Sequence, residues 1–130
     1  MFVILWASHI CGAQSLYDRS NMLLGRVDIY GYAYNPSNMN IGRILNDGRI
    51  VDRSNIIIGK IEKDGTVRDR SNMKIGMVDS DGEVKDRNNM RIGRVKPDGT
   101  VVDSNNMTIG YAKGIPMEYA VVFFIFKIFE

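Results

Sequence analysis

Along the chain the apolar residues fall two apart, then three, then six, then six again, and the pattern restarts after 17 positions. Met22, Leu24, Val27 and Ala33 trace one unit, Met39, Ile41, Ile44 and Ile50 the next, and the series holds through Met107, Ile109 and Ala112. Side chains two apart share one face of a strand. Each unit therefore predicts a short outgoing strand that turns its Met (Ile56 in the third copy) and its Leu or Ile inward. By strict alternation the third apolar residue would face the other way, but a glycine always intervenes, at Gly25, Gly42, Gly59, Gly76, Gly93 and Gly110. A β-bulge there adds one residue and returns the next side chain to the inner face, and glycine tolerates the positive φ such a bulge needs. The expectation is one interior shared by the methionines, isoleucines and valines of all copies.

The polar positions supply the turns. Before each outgoing strand stands Asp-Arg-Ser-Asn or a close variant, ending on an asparagine that never changes: Asn21, Asn38, Asn55, Asn72, Asn89 and Asn106. Asp, Ser and Asn side chains bond nearby backbone groups, so this segment predicts a tight loop. After each of the middle strands comes Asp-Gly, as at Asp47-Gly48, Asp64-Gly65, Asp81-Gly82 and Asp98-Gly99, the strongest short-range hairpin signal. A brief return strand follows, with one inward residue: Leu16, Ala33, Ile50, Val67, Val84 or Val101. No helix fits between glycines and turn signals so closely spaced.

A unit with about four apolar side chains cannot bury them alone, so the hairpins must meet round a shared centre or stack along a line. The series opens on a return strand (15–18) and ends on an outgoing one (107–111), which lets the two termini pair and close a ring, hiding the sheet edges. Residues 14–112 thus read as an all-β repeat domain of six copies. Residues 113–130 belong to the same domain as an apolar segment, helical or extended, whose run Tyr119–Phe126 is too short to span a membrane as a helix. A segment apolar on every side belongs in the middle of the ring as a plug; a homo-oligomer contact through 117–129 or shallow insertion in a membrane surface are the alternatives.

Composition sharpens this reading at the N-terminus. The only Trp, His and Cys (Trp6, His9, Cys11) lie within the first 11 residues. The short apolar run Phe2–Ala7 and the small residues at Cys11 and Ala13 suggest a secretory leader over residues 1–13, and hence a protein that is secreted, periplasmic or on the cell surface. Once such a leader is removed, no His or Cys remains for Ser-His-Asp or Cys-His catalysis, for the usual zinc ligand sets or for a disulfide. No enzyme, metal site or cofactor is expected. A pair of carboxylates can hydrolyse glycosides, but these aspartates recur once per unit, as scaffold residues do. The net charge of +2, with Asp interleaved among the basic residues, gives no continuous basic stripe in the sequence and no reason to expect nucleic acid.

Two features remain as binding candidates. Tyr30, Tyr32 and Tyr34 cluster with Gly31 on the first hairpin, where they either pack across strands or offer a stacking surface to a sugar or other flat ligand. The basic residues after four of the six repeat glycines (Arg26, Arg43, Lys60 and Arg94) form a ring under the repeat symmetry, as do the Arg residues after four of the loop Asp residues (Arg19, Arg53, Arg70, Arg87). Such rings are solvated and paired with Asp, or they contact an anionic glycan.

The unit Asp-Arg-Ser/Asn-Asn-Met-x-Ile-Gly-Arg-Val-x-x-Asp-Gly, closed by Thr108-Ile109-Gly110-Tyr111-Ala112-Lys113-Gly114-Ile115 and an aromatic tail, resembles the β-flower repeat proteins, described as four-fold or five-fold and found among secreted bacterial proteins. The resemblance covers about residues 15–130. It implies a radial array of hairpins and export, and carries no activity, cofactor or site residue. The overall expectation is a secreted, non-enzymatic structural or binding module that contacts a glycan or another protein.

Overall fold

The computed structural model describes residues 14–129. Twelve strands run antiparallel round a closed barrel: β1 (Gln14–Asp18), β2 (Leu23–Val27), β3 (Tyr32–Tyr34), β4 (Asn40–Ile44), β5 (Arg49–Val51), β6 (Ile57–Ile61), β7 (Thr66–Asp69), β8 (Lys74–Val78), β9 (Glu83–Asp86), β10 (Arg91–Val95), β11 (Thr100–Asp103) and β12 (Thr108–Tyr111). The terminal strands close the ring, with Tyr17 opposite Tyr111 and Asp18 opposite Gly110. That register repeats the one inside the chain, where Arg68 faces Lys60 and Asp69 faces Gly59.

One turn geometry serves both ends of the barrel. In the Asp-Arg-Ser-Asn loops the Asn21 N–H donates to the Asp18 carbonyl and the Asp18 N–H to the Met22 carbonyl, each at 2.9 Å. All six asparagines are left-handed, with φ between 65° and 70°, a conformation Asn tolerates far better than β-branched residues. This is why the asparagine recurs. The first loop residue, Asp or Asn, accepts the N–H groups two and four residues on in every copy, as in Asp69 with Ser71 and Met73. At the other end Gly48 takes the left-handed position (φ 93°), donating to Leu45 while Leu45 donates to Arg49. These are three-residue loops, each a type I turn completed by a left-handed residue.

The expected bulge is present. Leu16 faces Gly25 and Tyr17 faces Leu23, so Leu24 is the extra residue, and the same shift recurs between Val67 and Arg68. The expected positive φ is not general: among the six bulge glycines only Gly25 and Gly42 have φ in the left-handed half of the map. Space decides the rest. A methyl group at Gly76 would lie 2.5 Å from a ring carbon of Phe126, and one at Gly93 would lie 2.8 Å from the Val102 carbonyl oxygen.

That crowding comes from the tail. Helix α1 (Met117–Ala120) continues as a wider π-helical segment (Val121–Ile125), in which the Phe126 N–H donates to the Val121 carbonyl at 3.0 Å. The segment fills the middle of the ring. Its side chains address the six bulge glycines one each: Phe123 meets Gly25, Phe124 Gly110, Ile125 Gly93, Phe126 Gly76, Ile128 Gly59 and Phe129 Gly42. Successive residues therefore point to successive hairpins round the barrel, with exposed Lys127 skipped in a left-handed conformation (φ 51°). The plug expectation holds, and the fixed glycine is the socket for it. Leu16, Ala33, Ile50, Val67, Val84 and Val101 are fully buried, and Val27, Ile61, Val78, Val95 and Ala112 join them in the core.

The methionines depart from expectation. Met22, Met39, Ile56, Met73, Met90 and Met107 are 51–65% exposed. They sit beside the loops, past the last ladder pair and beyond the reach of the plug, so alternation puts them on the inner side while depth puts them in water. The Leu or Ile two residues on (Leu24, Ile41, Ile58, Ile75, Ile92, Ile109) is half-buried against the core.

Candidate functional site

With the interior filled, side chains available to a ligand lie on the outer wall and at the two rims. Strand alternation puts Arg26, Tyr32, Tyr34 and Arg43 on the wall of β2–β4, where register pairs Arg26 with Tyr34 and Tyr32 with Arg43. Each guanidinium lies over its partner's ring, at 4.1 Å for Arg26 on Tyr34 and 4.8 Å for Arg43 on Tyr32, in cation–π range. Arg26 also donates to Asn38 Oδ1, and the Tyr34 hydroxyl donates to Asp28 at 3.0 Å. Partial burial, then the bond to Asp28, pushes the Tyr34 pKa up. Tyr30, at the turn, is 69% exposed.

Four of the six candidates thus share one face, with Tyr30 on the turn that joins β2 to β3, and two of the rings each have a face under a guanidinium. Arg94 lies on β10, where Nε approaches the Asp81 carbonyl at 3.5 Å, and does not join them. Among the described residues the loop arginines Arg19, Arg53, Arg70 and Arg87 form no ion pair: the loop aspartates turn to their own backbone, and the ion pairs are Arg49–Asp47, Arg68–Glu62 and Arg91–Glu83.

A groove of about 270 Å³ opens between the Tyr30-Gly31 turn and the Asp47-Gly48 turn, lined by Tyr30, Ile44, Asp47, Glu62, Glu118 and Tyr119 among others. Its floor holds the one residue the sequence gave no reason to single out. In other copies the strand residue after the bulge donates straight to the neighbouring turn glycine, as Ile61 N–H does to the Gly48 carbonyl at 2.9 Å. Between Gly31 and Ile44 the Tyr119 hydroxyl steps in, donating to the Gly31 carbonyl and accepting from the Ile44 N–H at 3.3 Å. Burial raises its pKa to about 12. The only signal was a Tyr opening the tail.

The carboxylates are engaged structurally. Asp64 and Asp98 accept the N–H of Thr66 and Thr100, which holds both below the usual carboxylate range. Asp79 and Asp81 accept backbone N–H groups of the same kind, and among the described residues no three His, Cys, Asp or Glu side chains gather as a metal site. Such a surface can bind through aromatic, cationic and hydroxyl groups. No curated protein and no solved structure matches the chain. The model of one family, described as 5-fold beta-flower protein, matches residues 13–127. That match spans the twelve strands and nearly all of the plug, and the chain belongs to the 5-fold β-flower family.

Proposed function

We propose that the protein is a non-enzymatic binding module, exported from the cell, that holds its ligand on the outer wall of the barrel. One observation carries this reading: the inner positions repeat in every copy while the outer ones do not. Glycine, the loop asparagine and a buried apolar return-strand residue recur six times because the plug and turns demand them. On the wall the same positions hold Tyr in one copy, Arg or Lys in another, and Val or Thr in others. Folding asks for the symmetry, and a binding surface is what departs from it. The leader read in residues 1–13 supports export and lies outside the described residues.

The test is an array of neutral and acidic glycans and polypeptides probed with the full chain, beside a variant of the wall and its adjoining turn, Tyr32→Ser with Tyr30→Ser. A ligand whose retention drops in a wall variant supports the reading. Retention that no wall substitution alters, or turnover of an arrayed glycan, refutes it.

The exposed Met ring favours a second reading, self-association through the loop rim. Its six side chains stand 51–65% exposed beside the loops, and exposed apolar surface marks contact sites. Sedimentation velocity on the wild type and on Met39→Ser with Met73→Ser decides it, because only a rim-driven assembly dissociates in the variant.

A further inference from the structure

We propose that the wall of β5–β8 is a binding site for a linear polyanion, specifically an acidic polysaccharide; this rests on the wall-binding reading above. The register opposes Arg49 to Lys60, Lys60 to Arg68 and Arg68 to Lys74, so four cations lie side by side across four neighbouring strands. Adjacent strands are about 4.8 Å apart, so the row spans roughly 14 Å with one positive charge per strand. Like charges directly opposite one another destabilise a sheet, and nothing in the fold calls for them here. In the preceding copy the equivalent row reads Tyr32, Arg43, Val51, Ile57, and in the following copy Thr66, Met77, Lys85, Arg91.

Local carboxylates neutralise only part of the row. Asp47 pairs with Arg49 at 2.8 Å and Glu62 with Arg68 at 3.2 Å, both at the Asp-Gly end. Lys60 and Lys74 have no carboxylate within ion-pair distance among the described residues. Arg68 Nη1 reaches the Asn72 carbonyl at 3.1 Å, which carries the positive row toward the loop rim and Lys74. A chain with an anionic group on each sugar matches cations that repeat strand by strand. Single-stranded nucleic acid also needs faces on which its bases stack. The row is flanked by Val51 and Ile57 on one side and Met77 on the other, with no aromatic ring in it.

The experiment measures binding of the full chain to polygalacturonate at several salt concentrations, with dextran as the neutral control. Variants are Lys60→Gln/Lys74→Gln and, as a charge-matched control away from the row, Arg94→Gln on β10 with Lys113→Gln in the turn after β12. The expected affinity falls with salt at a log–log slope of about −3, as four neutralised charges give for a flexible chain. In the Lys60/Lys74 variant the slope drops to about half and affinity at low salt weakens about tenfold or more, while the Arg94/Lys113 variant stays near wild type. Equal losses in both variants mean general charge and overturn the site. Binding to a single-stranded oligodeoxynucleotide as tight as to polygalacturonate overturns the choice of polysaccharide. A chain that ignores polygalacturonate but holds an arrayed neutral ligand through Tyr30 and Tyr32 sinks the cation row and leaves the binding-module reading standing. A chain with no wall-dependent ligand of any kind sinks both.

Discussion

Replacing Tyr119 with Phe removes one oxygen and leaves the plug's shape unchanged, so it isolates the hydroxyl that bridges Gly31 and Ile44. Both backbone groups then lose a partner inside the barrel wall. An unsatisfied buried group costs about 1–3 kcal/mol. The 3.3 Å bond from Ile44 is long, and the groove lined by Tyr30 and Glu118 lets water reach the gap, so the sum falls nearer 2 than 5 kcal/mol. Urea unfolding at pH 7 should therefore show a stability loss of about 2 kcal/mol at unchanged m, a large share of the ~5–15 kcal/mol typical of a domain. Alkaline pH gives an independent readout. The phenol titrates near 10 in the unfolded chain and at about 12 in the folded one, so its protonated form contributes stability that is complete below pH 10 and is lost as pH rises toward 12. Two pKa units correspond to about 2.7 kcal/mol. Wild type should lose roughly that much between pH 10 and 12, and Tyr119→Phe should lack this component. If the variant matches wild type at pH 7 and keeps the same alkaline decline, the ring closes Gly31 directly on Ile44, as the other copies do, and the bridging role is wrong.

Gly76→Ala pushes a methyl against Phe126 and the Lys85 carbonyl and should cost about 1–3 kcal/mol as overpacking; a double-mutant cycle with Phe126→Leu should return a coupling of at least 0.5 kcal/mol, and additivity would break the socket picture. Asn72→Gly should be near neutral, whereas Asn72→Val, forced into the left-handed region, should lose about 1–2 kcal/mol by thermal melts; equal stabilities would contradict the turn assignment. Met73→Ser, at an exposed position, should change stability by less than ~0.5 kcal/mol, against about 2–5 for Ile50→Ala in the sealed interior. Deleting residues 117–130 empties the centre, and near-native circular dichroism in the truncated chain would refute the plug's role.

Much of the ring was legible in the 17-residue period. Spacing by two, the intervening glycine and the alternating loop and Asp-Gly turns are local rules, so strands, bulges and turns follow from short stretches of chain. Ring closure was legible as well, because a series that opens on a return strand and ends on an outgoing one leaves two edges that fit each other. The family resemblance pointed the same way. Depth was not legible: Met73 and Ile75 are both apolar and two apart, yet only the plug's reach decides that one is half-buried and the other wet. The bulge glycine was readable as backbone geometry, while its second reason, a plug side chain 50 to 100 residues away at Gly76 or Gly25, depends on how the tail winds. The cations Arg49, Lys60, Arg68 and Lys74 look interleaved with Asp along the chain and become one row only when register sets them on neighbouring strands. Sequence determines what each short segment can do by itself; lateral register and the path of the tail decide which of those segments meet, because both are settled by contacts between residues far apart in the chain.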